Sequence, residues 1–169
     1  MVRVLKMEND NYKVIEYESI INNKSLTKNF CNSNNMASSD IEKKRLVLLK
    51  NKLLEYGGLK VAIPSSEDDA YALLKRGIHK VSNVKNTKKI SGKRGASHAN
   101  VSEWWIHNKE RITIMTGYAL SEKGVWVQHS WCYDNKLKIM LETCQRKTNY
   151  FGIVLSFQES YEFYLANSK

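Results

Sequence analysis

The hydrophobic residues of this 169-residue chain change their spacing near residue 110. Before that point they recur every three or four positions, which is typical of amphipathic helices, and after it they alternate, as in strands. The segments RITIMTGYAL, GVWVQHSWCY, KLKIMLETC and NYFGIVLSF are predicted to be four successive strands. Helices followed by an antiparallel meander predict an α+β fold, in which N-terminal helices pack on an antiparallel sheet.

Cap and stop residues delimit the helices. The predicted helices lie within residues 38–58, within residues 65–81, in a segment beginning at Ser97, and in residues 158–169, the last as a short final helix. Ser66 and Asp69 have capping-box spacing, and Gly77 is predicted to close the second helix. Residues 82–96 are predicted to form a basic loop. Residues 1–38 contain a strand-like YKVIEY followed by a polar stretch, and we expect them to be flexible or peripheral.

The composition favours one globular domain over residues 1–169. It is 42% hydrophobic and 26% charged, with a single proline. No run of about 18 apolar residues is present, so no membrane span is expected, and the N-terminus has no signal-peptide pattern. The three cysteines have no metal-ligand spacing, which favours free thiols in a reducing compartment. We therefore expect a cytoplasmic protein, or an effector secreted without a leader that acts in a host cytosol.

The formal net charge of +10 favours an acidic partner, such as nucleic acid, an anionic membrane surface or an acidic protein. A lysine-rich coding bias explains it equally well. Residues 85–94 concentrate basic side chains, including Lys93 and Arg94. Such a run is a solvated charged face by default. It could also draw an acidic protein substrate towards a cleft, or bind a nucleic-acid backbone.

The strand pattern brings a histidine near a carboxylate. A two-residue turn at Asp134-Asn135 predicts that His129 pairs with Met140 and has Glu142 as a diagonal neighbour on the same face. Diagonal neighbours lie about 7–8 Å apart at the backbone, within reach of long side chains. A carboxylate is therefore expected to orient the imidazole. Taken singly, each residue has an ordinary explanation, as a strand histidine and a solvated acid.

Ser97 is the third member of the predicted site. It opens the third helix on the same stripe as Val101, Trp104 and Trp105, so its side chain is expected to face the sheet that carries His129. A nucleophile at a helix N-terminus gains from the macrodipole and from free backbone N–H groups. The ordinary explanation of Ser97 is a helix N-cap.

The segment HSWCYDNKLKIMLETC resembles the histidine strand of papain-like and transglutaminase-like enzymes. In those enzymes His-x-Trp on one strand is followed, on the next, by an acidic residue and Thr. TGYAL, and SHAN at a helix start, are similar to bacterial and phage members in which a Cys opens the helix in a pattern like Cys-x-x-Asn. The resemblance covers roughly residues 95–155 and implies a cysteine amidohydrolase core, with Ser97 at the nucleophile position, His129 as the base and Glu142 as its orienting acid.

The departure from this pattern is the serine, whose hydroxyl is far less acidic than a thiol. Ser97 is an engineered Cys→Ser substitution, a natural serine nucleophile, or the mark of a binding-only relative. The first is favoured because the other site residues are intact.

The remaining candidates are substrate contacts, and we expect neither a metal nor a cofactor. The predicted substrate-binding residues are His98, Asn100, Trp131, Lys93 and Arg94. The first hypothesis is a thiol-type amide hydrolase, a protein deamidase or peptidase acting through an acyl-enzyme on a protein or peptide. The alternative is a non-catalytic basic domain that binds nucleic acid through residues 85–94, or an acidic protein.

Overall fold

The computed structural model describes residues 38–64, 69–83 and 85–168. The helices are α1 (Ser38–Glu55), α2 (Ala70–Arg76), α3 (Ser97–Ile106) and α4 (Phe157–Asn167). The strands are β1 (Lys60–Val61), β2 (Ile78–Val81), β3 (Thr87–Lys89), β4 (Ile112–Leu120), β5 (Val125–Asp134), β6 (Ile139–Glu142) and β7 (Asn149–Val154). The α+β class is therefore confirmed. The predicted segment YKVIEY, the remainder of residues 1–37 and the predicted cap Ser66 lie outside the described residues.

The seven strands form one curled sheet in the order β2-β7-β4-β5-β6-β3, with β1 added beside β5. Strands β4, β5 and β6 are antiparallel neighbours, as predicted. The prediction of a simple antiparallel meander is wrong, because β7 returns to pair with β4, which gives these four strands a Greek-key order. The sheet is also mixed, since β1 and β3 pair in parallel with β5 and β6.

Three short strands were not predicted. β2 follows Gly77, which ends α2 as expected. β3 lies inside the segment predicted to be a basic loop, and β1 has only two residues. These three strands have two to four residues each, and their pairing with β5, β7 and β6 defines them.

The helices cover one face of the sheet. The leucine stripe of α1 is confirmed, because Leu49 and Leu53 are fully buried against that face. From α3, Val101 and Trp105 pack on the same face, which carries the even-numbered residues of β4 and β5, such as Trp126. The opposite face has its own smaller apolar cluster, formed by Met115, Ala119, Trp131, Met140 and Tyr150. Among the described residues, no helix combines the length and the apolar character that a membrane span requires.

The loop between β5 and β6 differs from the prediction. It has four residues, 135–138, instead of a two-residue turn. The Asp134 carboxylate accepts the backbone N–H groups of Lys136 and Leu137 at 3.0 and 2.9 Å, which stabilises the longer loop. The register pairs Cys132 with Leu141, so the predicted pairing of His129 with Met140 is wrong by four residues. Because four is even, every side chain keeps its predicted face of the sheet.

One edge of β5 is left open at its centre, and we call residues 127–131 on that edge the β5 gap. The other edge of β5 pairs with β4 along its whole length from residue 126 to residue 134. On the gap side, β1 pairs with residues 125–126 and β6 pairs with residues 132–134. Between these contacts the described part of the chain supplies no partner strand. The first turn of α3 lies at this opening, and the gap therefore brings a helix N-terminus next to a strand.

Candidate active site

Ser97 lies at the β5 gap. Its Oγ accepts the backbone N–H of Ser130 at 3.4 Å, and the side chain is 8% exposed. The N-cap of α3 is Ala96, and no side chain caps this end of the helix. The ordinary explanation of Ser97 as an N-cap is therefore wrong. The serine hydroxyl instead lies against the strand, one position from His129, and the predicted orientation towards the sheet is confirmed.

The predicted contact between His129 and Glu142 is present. His129 Nε2 lies 2.8 Å from Glu142 Oε2, with the two side chains 5% and 0% exposed. In the observed register Glu142 extends β6 to the position opposite Trp131, and His129 is its diagonal neighbour. The predicted register placed Glu142 two residues after the position opposite His129, and the observed register places it two residues before that position. The two residues are therefore diagonal neighbours in both registers.

Glu142 receives two further hydrogen bonds. The Tyr150 hydroxyl donates to Oε2 at 2.9 Å, and the Cys144 backbone N–H donates to Oε1 at 2.8 Å. Burial alone raises the pKa of Glu142, but its donors outweigh burial, with His129 contributing most. The pKa of Glu142 therefore lies below its ordinary value of 4.5, and the carboxylate is ionised at neutral pH.

The carboxylate fixes the tautomer of His129. An ionised carboxylate only accepts hydrogen bonds, so His129 Nε2 must carry a hydrogen and donate it. In the neutral ring Nδ1 is then the basic nitrogen. Within the described ranges, Nδ1 accepts no hydrogen bond, and none joins the imidazole to Ser97 Oγ. A catalytic hydrogen bond is often long before substrate binds, so this geometry leaves a proton transfer open.

Aromatic rings enclose His129. Trp131 stacks on it with ring centroids 6.4 Å apart, and Tyr150 lies 6.2 Å away on the same face. Trp131 is fully buried, and a Cβ on Gly152 would come within 2.6 Å of its ring, so the glycine makes room for it. The position of Trp131 agrees with a role in shielding the histidine from water. Because Trp131 is fully buried, the structure does not support the predicted direct contact between Trp131 and substrate.

His98 lies on the other side of the sheet from His129. Its Nδ1 is 2.6 Å from Ser130 Oγ, which in turn donates to Thr116 Oγ1 at 2.7 Å. The ring also meets Phe163 edge-on, with centroids 5.7 Å apart. Ser130 thus connects Ser97, through its backbone N–H, with His98, through its hydroxyl.

Asn100 holds the basic loop in place. Its Oδ1 accepts the Lys93 backbone N–H at 2.9 Å, and its Nδ2 donates to the Lys93 carbonyl at 2.8 Å. These bonds occupy its carboxamide, so they do not support the predicted contact of Asn100 with substrate. Lys93 and Arg94 are exposed and remain available as surface contacts beside the first turn of α3.

Sequence reasoning missed two site residues, Tyr150 and Ser130. Tyr150 lies on β7, and its partner Glu142 lies on β6, which is not a neighbouring strand in the sheet. Only the curl of the sheet brings the two side chains together. Ser130 follows His129 in sequence, but the alternation of the strand directs its side chain to the helix-covered face. No local pattern in the sequence could have indicated either role.

In the described ranges, no group of three His, Cys, Asp or Glu side chains is placed to hold a metal ion. No protein family, curated protein or solved structure gives a significant match to this chain.

Proposed function

We propose that the chain has the site of a papain-like, thiol-type amide hydrolase, present here as an inactive Cys-to-Ser form. The observation that carries the proposal is the buried His129–Glu142 pair, which lies one residue from the strand N–H that holds Ser97 Oγ. The three side chains come from a helix start and two strands. Their roles are those of a nucleophile, a base and an orienting acid.

The mechanism follows from the hydrogen bonds. A cysteine at position 97 would give its proton to His129 Nδ1, while Glu142 holds the Nε2–H tautomer and stabilises the imidazolium. The thiolate attacks an amide carbonyl and forms a tetrahedral oxyanion, which backbone N–H groups at the uncapped start of α3 stabilise. His129 then protonates the departing nitrogen as the C–N bond breaks, leaving a thioester. Attack of water on that thioester releases the acid and restores the thiol.

The bond attacked is a peptide bond, as in a peptidase, or a side-chain amide, as in a protein deamidase. Attack by an amine instead of water would give acyl transfer from the same thioester. The substrate is a protein or peptide, and the exposed Lys93 and Arg94 favour an acidic one. Free thiols at Cys132 and Cys144 support a reducing cytosol as the place of action, either the protein's own or that of a host.

Thiol reactivity tests this proposal. The thiol introduced by Ser97→Cys is expected to have a pKa at least about one unit below the usual 8.5, because His129 and the helix N-terminus favour the thiolate. At pH 6 limiting iodoacetamide should label it at least about tenfold faster than a thiol introduced by Ala99→Cys. Labelled peptides are quantified by mass spectrometry across a pH series.

Ala99 is the matched control because it shares the first turn of α3 but lies about 200° round the helix from Ser97. Adding His129→Ala should remove the advantage of the Ser97→Cys protein without affecting Ala99→Cys. Cys132 is an internal reference, since burial and the nearby Glu142 charge raise its pKa. Equal labelling of both introduced thiols, with and without His129, would contradict the proposal.

A second candidate function is nucleic-acid binding. The basic side chains of residues 85–94 are exposed, and within the described ranges none of them forms an ion pair. They are Lys85, Lys88, Lys89, Lys93 and Arg94. Two of them extend from β3, an edge strand of the sheet, where lysines also protect against edge-to-edge association.

This function predicts a binding affinity that falls steeply with salt. The double variant Lys88→Glu, Lys89→Glu should weaken binding to a DNA duplex and lower the slope of log K against log salt by about 2. Fluorescence anisotropy between 50 and 200 mM salt, roughly the range over which such contacts are screened, measures both quantities. The control Lys109→Glu, Lys123→Glu carries the same charge change at two exposed sites elsewhere. Equal effects of the two double variants would rule out a specific role for β3.

A further inference from the structure

A polar cavity adjoins the β5 gap on the helix-covered face of the sheet. Its volume is about 260 Å³, and it lies between β4, β5, the start of α2, the first turn of α3 and the end of α4. The polar and aromatic side chains that line it are Asp69, His98, Thr116, Tyr118, Gln128, Phe163 and Asn167. Asp69 and Gln128 are exposed, so the cavity opens to solvent on their side.

The cavity and the position of the nucleophile share Ser130. Its hydroxyl contacts two lining residues, His98 at 2.6 Å and Thr116 at 2.7 Å. Its backbone N–H holds Ser97 Oγ at 3.4 Å. A molecule in the cavity is therefore separated from the Ser97 hydroxyl by a single residue of β5. With so small a separation, one side chain of a substrate can occupy the cavity while an amide bond of the same substrate reaches Ser97.

The chemistry of the lining selects a class of side chain. Among the residues that the structure describes, no Lys or Arg lines this cavity, although the chain carries 27 of them. The polar groups are an imidazole, one threonine and one tyrosine hydroxyl, two carboxamides and one carboxylate, which together include both donors and acceptors. The carboxylate of Asp69 disfavours an acidic side chain, whereas a neutral carboxamide can both donate and accept. The volume is below the range of about 300–1,000 Å³ of drug-sized sites, which suits a single side chain.

We propose that this cavity is the recognition pocket for a carboxamide side chain, Gln or Asn, of a peptide or protein substrate. The inference rests on the proposed function for the identity of Ser97 as the reacting position. Recognition itself needs no reaction, so it can be measured on the chain with Ser97 in place.

Binding of four capped amino acids tests the proposal. The probes are the N-acetyl N-methylamides of glutamine, glutamate, methionine and lysine, which share a backbone and differ in the side chain. Titration followed by ¹H–¹⁵N NMR should show glutamine binding at least about tenfold more tightly than the other three, because a polar site discriminates against groups that leave its hydrogen bonds unmade. The shifted resonances should include Gly117, a lining residue without a side chain of its own.

Two variants locate the binding. Gln128→Leu should reduce glutamine affinity about tenfold or more, and it changes an exposed side chain outside the hydrophobic core. The control is Gln158→Leu, at an exposed glutamine of α4 whose carboxamide contacts Glu162, and it should have no effect. Glutamate or lysine binding as tightly as glutamine, equal effects of the two variants, or no glutamine binding at its solubility limit would each overturn the inference.

The two proposals fail separately. Selective glutamine binding, together with a Ser97→Cys thiol whose reactivity does not depend on His129, would support the recognition pocket and contradict the proposed hydrolase. A Ser97→Cys thiol with His129-dependent reactivity, in a protein without glutamine selectivity, would support the proposed hydrolase and contradict the recognition pocket.

Discussion

Replacing Glu142 with Leu is expected to lower the free energy of unfolding by about 3–5 kcal/mol at neutral pH. The carboxylate is fully buried and accepts from His129, Tyr150 and the Cys144 N–H. A leucine of similar size leaves these three donors without an acceptor, and each buried unsatisfied donor costs about 1–3 kcal/mol. Urea denaturation followed by tryptophan fluorescence measures the change.

The chain contains a matched control for this pair. Glu103 and His107 make the same kind of contact at 2.9 Å on the surface of α3, with side chains 66% and 71% exposed. Glu103→Leu is expected to change stability by no more than about 0.5 kcal/mol, because exposed ion pairs contribute little. If the two substitutions cost the same, Glu142 does not have the buried network described above.

The stability difference should also depend on pH, in a direction set by the lowered pKa of Glu142. Protons bind the unfolded carboxyl more tightly than the folded one, so the stabilisation is complete above the ordinary pKa of 4.5. It is lost as pH falls through the lower folded pKa. The difference in unfolding free energy between the wild-type chain and Glu142→Leu should therefore decrease as the pH falls below about 4.5. Urea denaturation repeated over this pH range measures the difference. An increase in this free-energy difference on acidification would contradict an ionised Glu142.

The second large effect concerns the base. In the Ser97→Cys protein, His129→Ala is expected to slow acylation by p-nitrophenyl acetate about 10²–10⁴-fold at pH 7, the range contributed by general-base catalysis. The physical reason is the loss of Nδ1, the ring nitrogen left to accept a proton once Glu142 holds Nε2. The burst of p-nitrophenolate gives the rate, after subtraction of the signal from the Ser97 protein, which retains the other cysteines.

His107→Ala serves as its control, since it removes an exposed histidine at the C-cap of α3 and should leave the rate unchanged. Added imidazole should partly restore acylation in the His129→Ala variant, because the buried space left by the ring can admit the free base. A purely structural role of His129 would give no such rescue. A His129→Ala protein that folds and acylates at the full rate would remove His129 from the mechanism.

Local sequence signals identified the long elements of the fold. The leucine stripe of α1, the stop at Gly77 and the four strands from β4 to β7 were predicted, because each has a period or a cap confined to a few neighbouring residues. The contact of His129 with Glu142 was predicted although the loop length was wrong. The face of the sheet on which a side chain lies changes only when the register shifts by an odd number of residues. The observed loop of four residues shifts the register by an even number, so both side chains stay on the predicted face.

The amino-acid sequence alone therefore determined the fold class, the main strands and the face of the sheet on which His129 and Glu142 meet, since these follow from periods of 3.6 and 2 along the chain. Only the tertiary structure decided that β7 returns beside β4, that Tyr150 reaches Glu142 across the curl, and that the β5 gap places Ser97 at Ser130. These contacts join residues distant in sequence. Strand partners and sheet curvature depend on how the whole chain packs its two faces, which no local pattern encodes.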